Sequence, residues 1–370
     1  MVKRNNKKIL FYSVFLLFFY FCTDVSSKNI TIASWGGAYT ESQVKAYKNT
    51  YKNPSSIKFV NYNGGLADVR QQVESGKIKW DVIDVLPGDA IQGCQEGLFR
   101  NISSHHKKFP KGPNNTSMLD DMKMTGISHN IPKCCAPQIF WSYVVFYDPD
   151  SFPGEKPTTV SDFFNVKKFP GKRAINTWAT GPVMMAMRAA GVEAENVFKK
   201  LKTKNGRNAA FKYLDKIKND VIFWSAGSQP LELISSGEAL MAIAYNGRVG
   251  AANLSQGTNY EYIWDSQVID QEYLCIVSGT KNFNLALDFL KHASSPESLA
   301  ESSKYITYGP MRASSVDIIN GNEPWGNNGI YITDHLPNTP ERLKNSVMMD
   351  PYWQGYMEIN RRYNDWMNKK

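Results

Sequence analysis

From residue 29 the chain alternates short apolar runs with amphipathic stretches. Residues 29–35 alternate apolar and polar side chains, the period of a strand, and Gly36-Gly37 break the run. Thr40 can cap a helix reaching residue 51, with Val44, Tyr47 and Tyr51 on one face. Residues 57–62 predict a second strand, Gly64-Gly65 a turn, 67–74 a helix, 82–86 a third strand and Pro87-Gly88 another turn. Strands and helices at this spacing argue for βαβ units and a mainly parallel sheet. Residues 103–117 predict a loop, 140–147 a strongly apolar strand and 148–158 a Pro-containing loop. A second alternation follows, with strands over 173–175, 221–223 and 240–244, and helices over 160–164, 182–190, 197–201, 208–216, 230–235 and 247–254. Two more strands are predicted over 260–264 and 272–277, then helices over 285–292 and 296–303, and a closing aromatic helix over 352–367.

A different pattern stands ahead of this. Residues 1–8 carry Lys3, Arg4, Lys7 and Lys8, residues 9–21 are almost wholly apolar, and Val25-Ser26-Ser27 supplies small residues at the minus-three and minus-one places. That is the layout of a cleaved signal peptide over 1–27, and it predicts export to the periplasm. This thirteen-residue stretch falls short of the roughly 20 a spanning helix needs, which weighs against an N-terminal anchor. Phe21 before Cys22 is a poor match to lipoprotein processing. The remaining 343 residues exceed the roughly 250–300 at which one core usually splits. Two lobes are expected, joined near 140 and 272: residues 28–141 plus 272–318, and 142–271 plus 319–370.

Charge and chemistry narrow the function classes. The formal charge of +9 falls to +6 without residues 1–27, and the densest cluster, Lys199 to Arg207, lies in an amphipathic region that reads as a solvated face. No basic stripe with interleaved aromatics marks a nucleic-acid binder. Catalytic signatures for Ser hydrolases, zinc proteases and phosphate-binding loops do not occur, and His129, His292 and His335 have no partner at ligand spacing. No cofactor is expected. Of the cysteines beyond residue 27, Cys94 can bridge Cys134 or Cys135, and Cys275, in an apolar run, reads as a buried thiol. In an open α/β sheet ligands sit at the carboxyl ends of strands. There this chain places Trp35 to Tyr39, Asp84 to Asp89, Thr177 to Thr180, Tyr245 to Arg248, and Asp270 to Glu272.

At these positions the sequence resembles the periplasmic solute-binding proteins of ABC transporters in the spermidine/putrescine-binding family. The resemblance spans the chain after residue 27. It is carried by Ser34-Trp35-Gly36-Gly37-Ala38-Tyr39, Tyr62-Asn63-Gly64-Gly65-Leu66-Ala67, Trp80-Asp81-Val82-Ile83-Asp84-Val85, Lys168-Phe169-Pro170-Gly171-Lys172-Arg173, Ala244-Tyr245-Asn246-Gly247-Arg248 and Tyr308-Gly309-Pro310. It implies a two-lobed type II periplasmic binding fold, each lobe a mainly parallel sheet flanked by helices, with the ligand in the cleft between lobes. It implies a binding role rather than catalysis, and an inner-membrane permease as partner. The binding protein itself is expected to be a monomer. By the same resemblance Trp35 is the first-loop aromatic, Asp84 to Asp89 the second-loop ligand segment, Tyr245 the second-lobe aromatic, Glu272 the acid that holds an ammonium, and Tyr308 a late first-lobe tyrosine.

The expected ligand is a small cationic amine, a polyamine such as putrescine or spermidine. Ring faces hold ammonium groups, and Trp35, Tyr39, Trp178, Trp224, Tyr245 and Tyr308 can supply them, with Asp84, Asp89, Asp270 and Glu272 for charge and Gly37 at the first strand end. Trp141 near the hinge can face either way, and Trp80, Trp264 and Trp366 are assigned to the core. Two features depart from polyamine binders: Gly36-Gly37 stand where an acid adjoins the Trp, and the loop 177–180 is uncharged. Arg248 suits a carboxylate, so the alternative is a zwitterionic amino-acid-like or opine-like solute held through Arg248. A secreted hydrolase and a ferric-ion binder are the remaining rivals. The first would want a nucleophile–base pair, the second a tyrosine cluster.

Overall fold

The computed structural model describes residues 29–126, 131–325 and 329–369. The signal-peptide reading over 1–27 and His129 lie outside the described residues.

Among the described residues ten strands form one mixed sheet: β1 (Ile30–Ser34), β2 (Ile57–Asn61), β3 (Val82–Val85), β4 (Cys135–Tyr147), β5 (Arg173–Asn176), β6 (Val221–Trp224), β7 (Met241–Tyr245), β8 (Glu261–Ile276), β9 (Gly309–Pro310) and β10 (Val347–Met348). Their order is β2-β1-β3-β8-β4-β7-β5-β6, with β9 beside β4 and β10 beside β8. Parallel pairs β1–β2 and β1–β3 build the first half, and parallel pairs β5–β6 and β5–β7 the second. The long strands β4 and β8 run antiparallel to each other and carry the sheet from one half to the other. All 13 residues of β4 are buried, which is why it reads as a near-continuous apolar run rather than an alternation.

The largest differences from the sequence reading lie in these two strands. Residues 260–264 and 272–277 are the two ends of one strand, β8, bent at a bulge where Ser266 adopts φ 61°. The intervening Asp265, Ser266, Gln267 and Asp270 suppress the apolar signal although the backbone stays paired. Cys135 lies directly opposite Cys275 across β4 and β8, and the two form a disulfide with a Cα separation of 4.6 Å. Cys275 is therefore not a free thiol, and Cys94 bridges Cys134, at 5.9 Å between Cα atoms. Pro87 opens the helix Pro87–Gln95 instead of closing a turn, as proline does at a first helical position.

The closing helix Tyr356–Asn368 packs on the second half: the Tyr363 hydroxyl donates to Asn176 O at 2.8 Å, and Trp366 Nε1 to Asp215 Oδ1 at 2.9 Å. The stretch before it is shared, since Ile319, Ile332 and Leu336 cluster with both Ala300 and Leu254. Trp366 is buried, whereas Trp80 and Trp264 are half-buried. Trp264 stacks on Tyr262 with the Arg342 guanidinium 4.1 Å from its ring centre. Among the described residues no helix is long and apolar enough to cross a membrane.

Candidate ligand-binding site

Between the two halves of the sheet lies a cavity of about 670 Å³. Its walls are strand ends and the residues just after them. Trp35 follows β1, Leu86 follows β3, Trp178 and Thr180 follow β5, Ser225 to Gly227 follow β6, Tyr245 ends β7, and Met349 follows β10. The crossing strands supply Trp141 and Tyr143 from β4 and Asp270 and Glu272 from β8. Side chains two apart on a strand share a face, so Asp270 and Glu272 point into the cavity together.

Aromatic rings make most of the wall. Trp35 leans on Tyr62 with ring centres 4.8 Å apart, and Tyr39 meets Tyr308 edge-on at 5.5 Å. Trp141, Tyr143 and Tyr245 pack mutually at 5.1–5.5 Å. Trp178 Nε1 donates to the Tyr143 hydroxyl at 2.5 Å, which fixes both rings. Such walls attract cations and exclude water.

The acids are buried and without cationic partners among the described residues. Trp35 Nε1 donates to Glu272 Oε1 at 2.7 Å. Burial raises the Glu272 carboxyl above the ordinary range, the adjacent Asp84 raises it further, and the hydrogen bond from Trp35 opposes both. Asp84 is fully buried behind Glu272 rather than on the cavity wall. Gln43 Nε2 donates to its Oδ2 at 3.0 Å, while its Oδ1 has no hydrogen-bond partner. Burial pushes Asp84 up to about 7, so the Asp84–Glu272 pair retains a proton near neutrality. Asp270 is likewise pushed up to about 7 by burial, against one hydrogen bond from the Gln271 backbone.

Arg248 is the cation of the wall. It lies in the first turn of the helix Asn246–Gln256, whose start is locked by Asn246: its Oδ1 accepts from Ser142 N and its Nδ2 donates to Thr307 O. The guanidinium lies 5.9 Å from the Tyr245 ring centre and passes between two glycines of opposite halves. A Cβ on Gly37 would sit 2.7 Å from one terminal nitrogen, and one on Gly227 2.7 Å from Nε. Arg248 Nε is buried without a hydrogen-bond partner, and no carboxylate pairs with the side chain among the described residues. Arg248 is half-buried, meets the Tyr308 hydroxyl and has no counter-charge among the described residues, so the site is poised for an anionic group.

Of the residues singled out from sequence, Trp35, Tyr39, Trp178, Tyr245, Arg248, Asp270, Glu272 and Tyr308 line the cavity. Trp224 does not: it is buried one layer behind, edge-on to Trp178 and Tyr245, with Nε1 donating to Ile243 O. Gly37 contributes clearance instead of a contact, and Asp89 stands off the wall in the helix after β3. Tyr62, Tyr143, Ser225 to Gly227 and Met349 were missed. Tyr62 lies in a motif quoted above for another purpose. The small residues after β6 and the methionine after β10 carry no local signal.

Gly37→Ala is expected to weaken ligand binding at least tenfold while costing the fold about 1 kcal/mol, because the methyl displaces the guanidinium and Gly37 has φ 55°. Paired calorimetric titration and thermal melting separate the two effects; an affinity within twofold of wild type sinks the clearance argument.

A family model described as bacterial extracellular solute-binding protein matches residues 42–330. The gamma-aminobutyric acid-binding protein of Pseudomonas aeruginosa is 31% identical over 362 residues, 96% of this chain and 95% of its own length. An ABC transporter substrate-binding protein of Bradyrhizobium japonicum is 26% identical and superposes with a TM-score of 0.76, over 92% of this chain and 99% of that one. A solved GABA receptor, also 26% identical, superposes with a TM-score of 0.72 over 92% of this chain and 98% of its own.

Proposed function

Because this chain belongs to the bacterial extracellular solute-binding protein family, we propose that its cleft takes an ω-amino acid of the γ-aminobutyrate kind, carboxylate on Arg248 and ammonium on Glu272. The coarser role needs no proposal. The chain is the substrate-binding component of an ABC transporter, and its relatives are binding proteins rather than enzymes. Such proteins bind a small solute in the periplasm and deliver it to a permease.

The observation that carries the ligand class is the unpaired Arg248 guanidinium in a cleft whose facing strand carries acids. A polyamine has nothing for that group to bind and adds a like charge beside it. A zwitterion satisfies both signs at once. The likeness to a γ-aminobutyrate-binding protein supports the same class. Of the two ligand classes read from sequence, these features favour the zwitterion over the amine. Gly37 links the two departures from the polyamine pattern, since the glycine beside Trp35 leaves the space that Arg248 enters.

The energetics are sufficient. Micromolar binding needs about 8 kcal/mol. A bidentate Arg–carboxylate pair and an ammonium–carboxylate bond contribute about 1.5–3 kcal/mol per charge-assisted hydrogen bond, and ring faces add about 1–2 kcal/mol. Isothermal titration near pH 7.5 tests the reading. γ-Aminobutyrate and 5-aminovalerate are expected to bind at micromolar Kd, with putrescine and spermidine at least 100-fold weaker. A polyamine binding more tightly than every zwitterion overturns it.

A further inference from the structure

The proposed ω-amino acid leaves the charges of the cavity wall unbalanced. The wall carries one cation, Arg248, and two acids, Asp270 and Glu272, so a zwitterion of zero net charge leaves one buried carboxylate without a partner.

Asp270 is that carboxylate. It is only 9% exposed, it lines the cavity, and its one hydrogen bond comes from the next residue's backbone N–H at 2.8 Å. Trp141 stands opposite it in the β4–β8 register and stacks edge-on with Tyr143 and Tyr245. Trp141 is itself 92% buried, lines the same wall, and its Nε1 has no hydrogen-bond partner. A buried acid and the rings of Trp141 and Tyr143 converge here; the indole N–H, a donor only, can serve the Asp270 carboxylate but not a cation. Two residues of extended strand separate Asp270 from Glu272 by about 6.7 Å, within reach of the two nitrogens of a short diamino chain.

We infer that Asp270, with Trp141 and Tyr143, forms a second cation subsite, and that the cleft accommodates α,ω-diamino acids: carboxylate on Arg248, one ammonium on Glu272, the other on Asp270. This rests on the zwitterion reading and extends it. With both acids ionised around the bound ligand, its net charge of +1 matches the wall's net charge of −1.

Ornithine and 5-aminovalerate make the test, since they share a skeleton and differ by the α-ammonium. In titrations of the wild-type protein, ornithine is expected to bind at least tenfold more tightly. Asp270→Asn, an isosteric change, is expected to bring the two ligands within twofold of each other. If 5-aminovalerate binds and ornithine binds no better, or if the tenfold ratio survives Asp270→Asn, the second subsite is wrong while the zwitterion reading stands. If neither ligand binds, the zwitterion reading fails and takes the subsite with it.

Discussion

Replacing Arg248 with alanine is expected to weaken γ-aminobutyrate binding roughly 100- to 1,000-fold. The guanidinium is the one cation on the cavity wall among the described residues, half-buried, with its Nε buried and unpartnered. Removing one member of a desolvated charge pair typically costs about 2–5 kcal/mol, because the other member is left buried alone. Here that other member is the ligand carboxylate. Arg248→Lys keeps the charge but loses the planar two-point grip, and a loss of about tenfold is expected. The unliganded protein tells the opposite story. Alanine relieves an unpaired, half-buried charge, so its thermal midpoint is expected to stay level or rise. Calorimetric titration of both variants, with melting curves in the absence of ligand, checks each half. An Arg248→Ala protein that binds γ-aminobutyrate within threefold of wild type removes the basis for the ligand class.

The second large effect is on stability against pH. Asp84 and Asp270 are each pushed up to about 7 by burial, and Glu272 is raised by burial and by Asp84. Unfolded carboxyls titrate near 4. Between about pH 4 and 7 the folded protein therefore holds protons that the unfolded chain has released. These groups stabilise the fold fully below about pH 4, and that stability is lost as pH rises through about 7. Asp270 contributes about 1.4 kcal/mol per pH unit across the window. Burial lowers His106, His292 and His335, which work in the opposite sense as pH falls through about 6.5. The comparison with Asp270→Asn cancels the histidines. Between pH 5 and 8 wild type is expected to lose about 2–3 kcal/mol more than the variant, by denaturant unfolding without ligand. Parallel curves would show that Asp270 is not held protonated. An ammonium placed against these acids offsets the loss, so the stabilisation given by a bound amino acid should grow with pH.

Both effects turn on residues that were visible in the sequence and on contacts that were not. Trp35 and Tyr245 stood out because each adjoins a glycine-bearing strand end, a local feature, and Tyr308 through the family resemblance. Arg248 stood out as the wrong charge for an amine site. That its guanidinium passes over Gly37 of the other half had no local signal. Asp84 looked like a ligand because the segment Asp84 to Asp89 matches the second-loop ligand segment of the family, yet the next layer holds it. Register with β8 places Asp84 opposite Leu274, and Gln43 covers its carboxylate. Trp224 fails the same way: the side chain at the end of β6 turns inward to an acceptor on β7, beyond β5, at Ile243 O. Cys275 read as a thiol because its partner lies 140 residues away.

Local pattern alone therefore settled the alternation of strands and helices and the aromatic, acid-bearing character of the strand ends, and the motifs there carried the resemblance to solute-binding proteins. Periodicity, glycine punctuation and motif spacing act over a few residues and survive without a partner. The choice among those residues belonged to the tertiary fold. Trp35 meets Glu272 across 237 positions, and Arg248 finds its clearance at Gly37 and Gly227. Such contacts depend on strand register and on the approach of two halves of a sheet, and no short window of sequence records them. Desolvation follows from that approach. It leaves Arg248 unpaired and raises the Asp84, Asp270 and Glu272 carboxyls, and with them the preference of the cleft for a ligand of both signs.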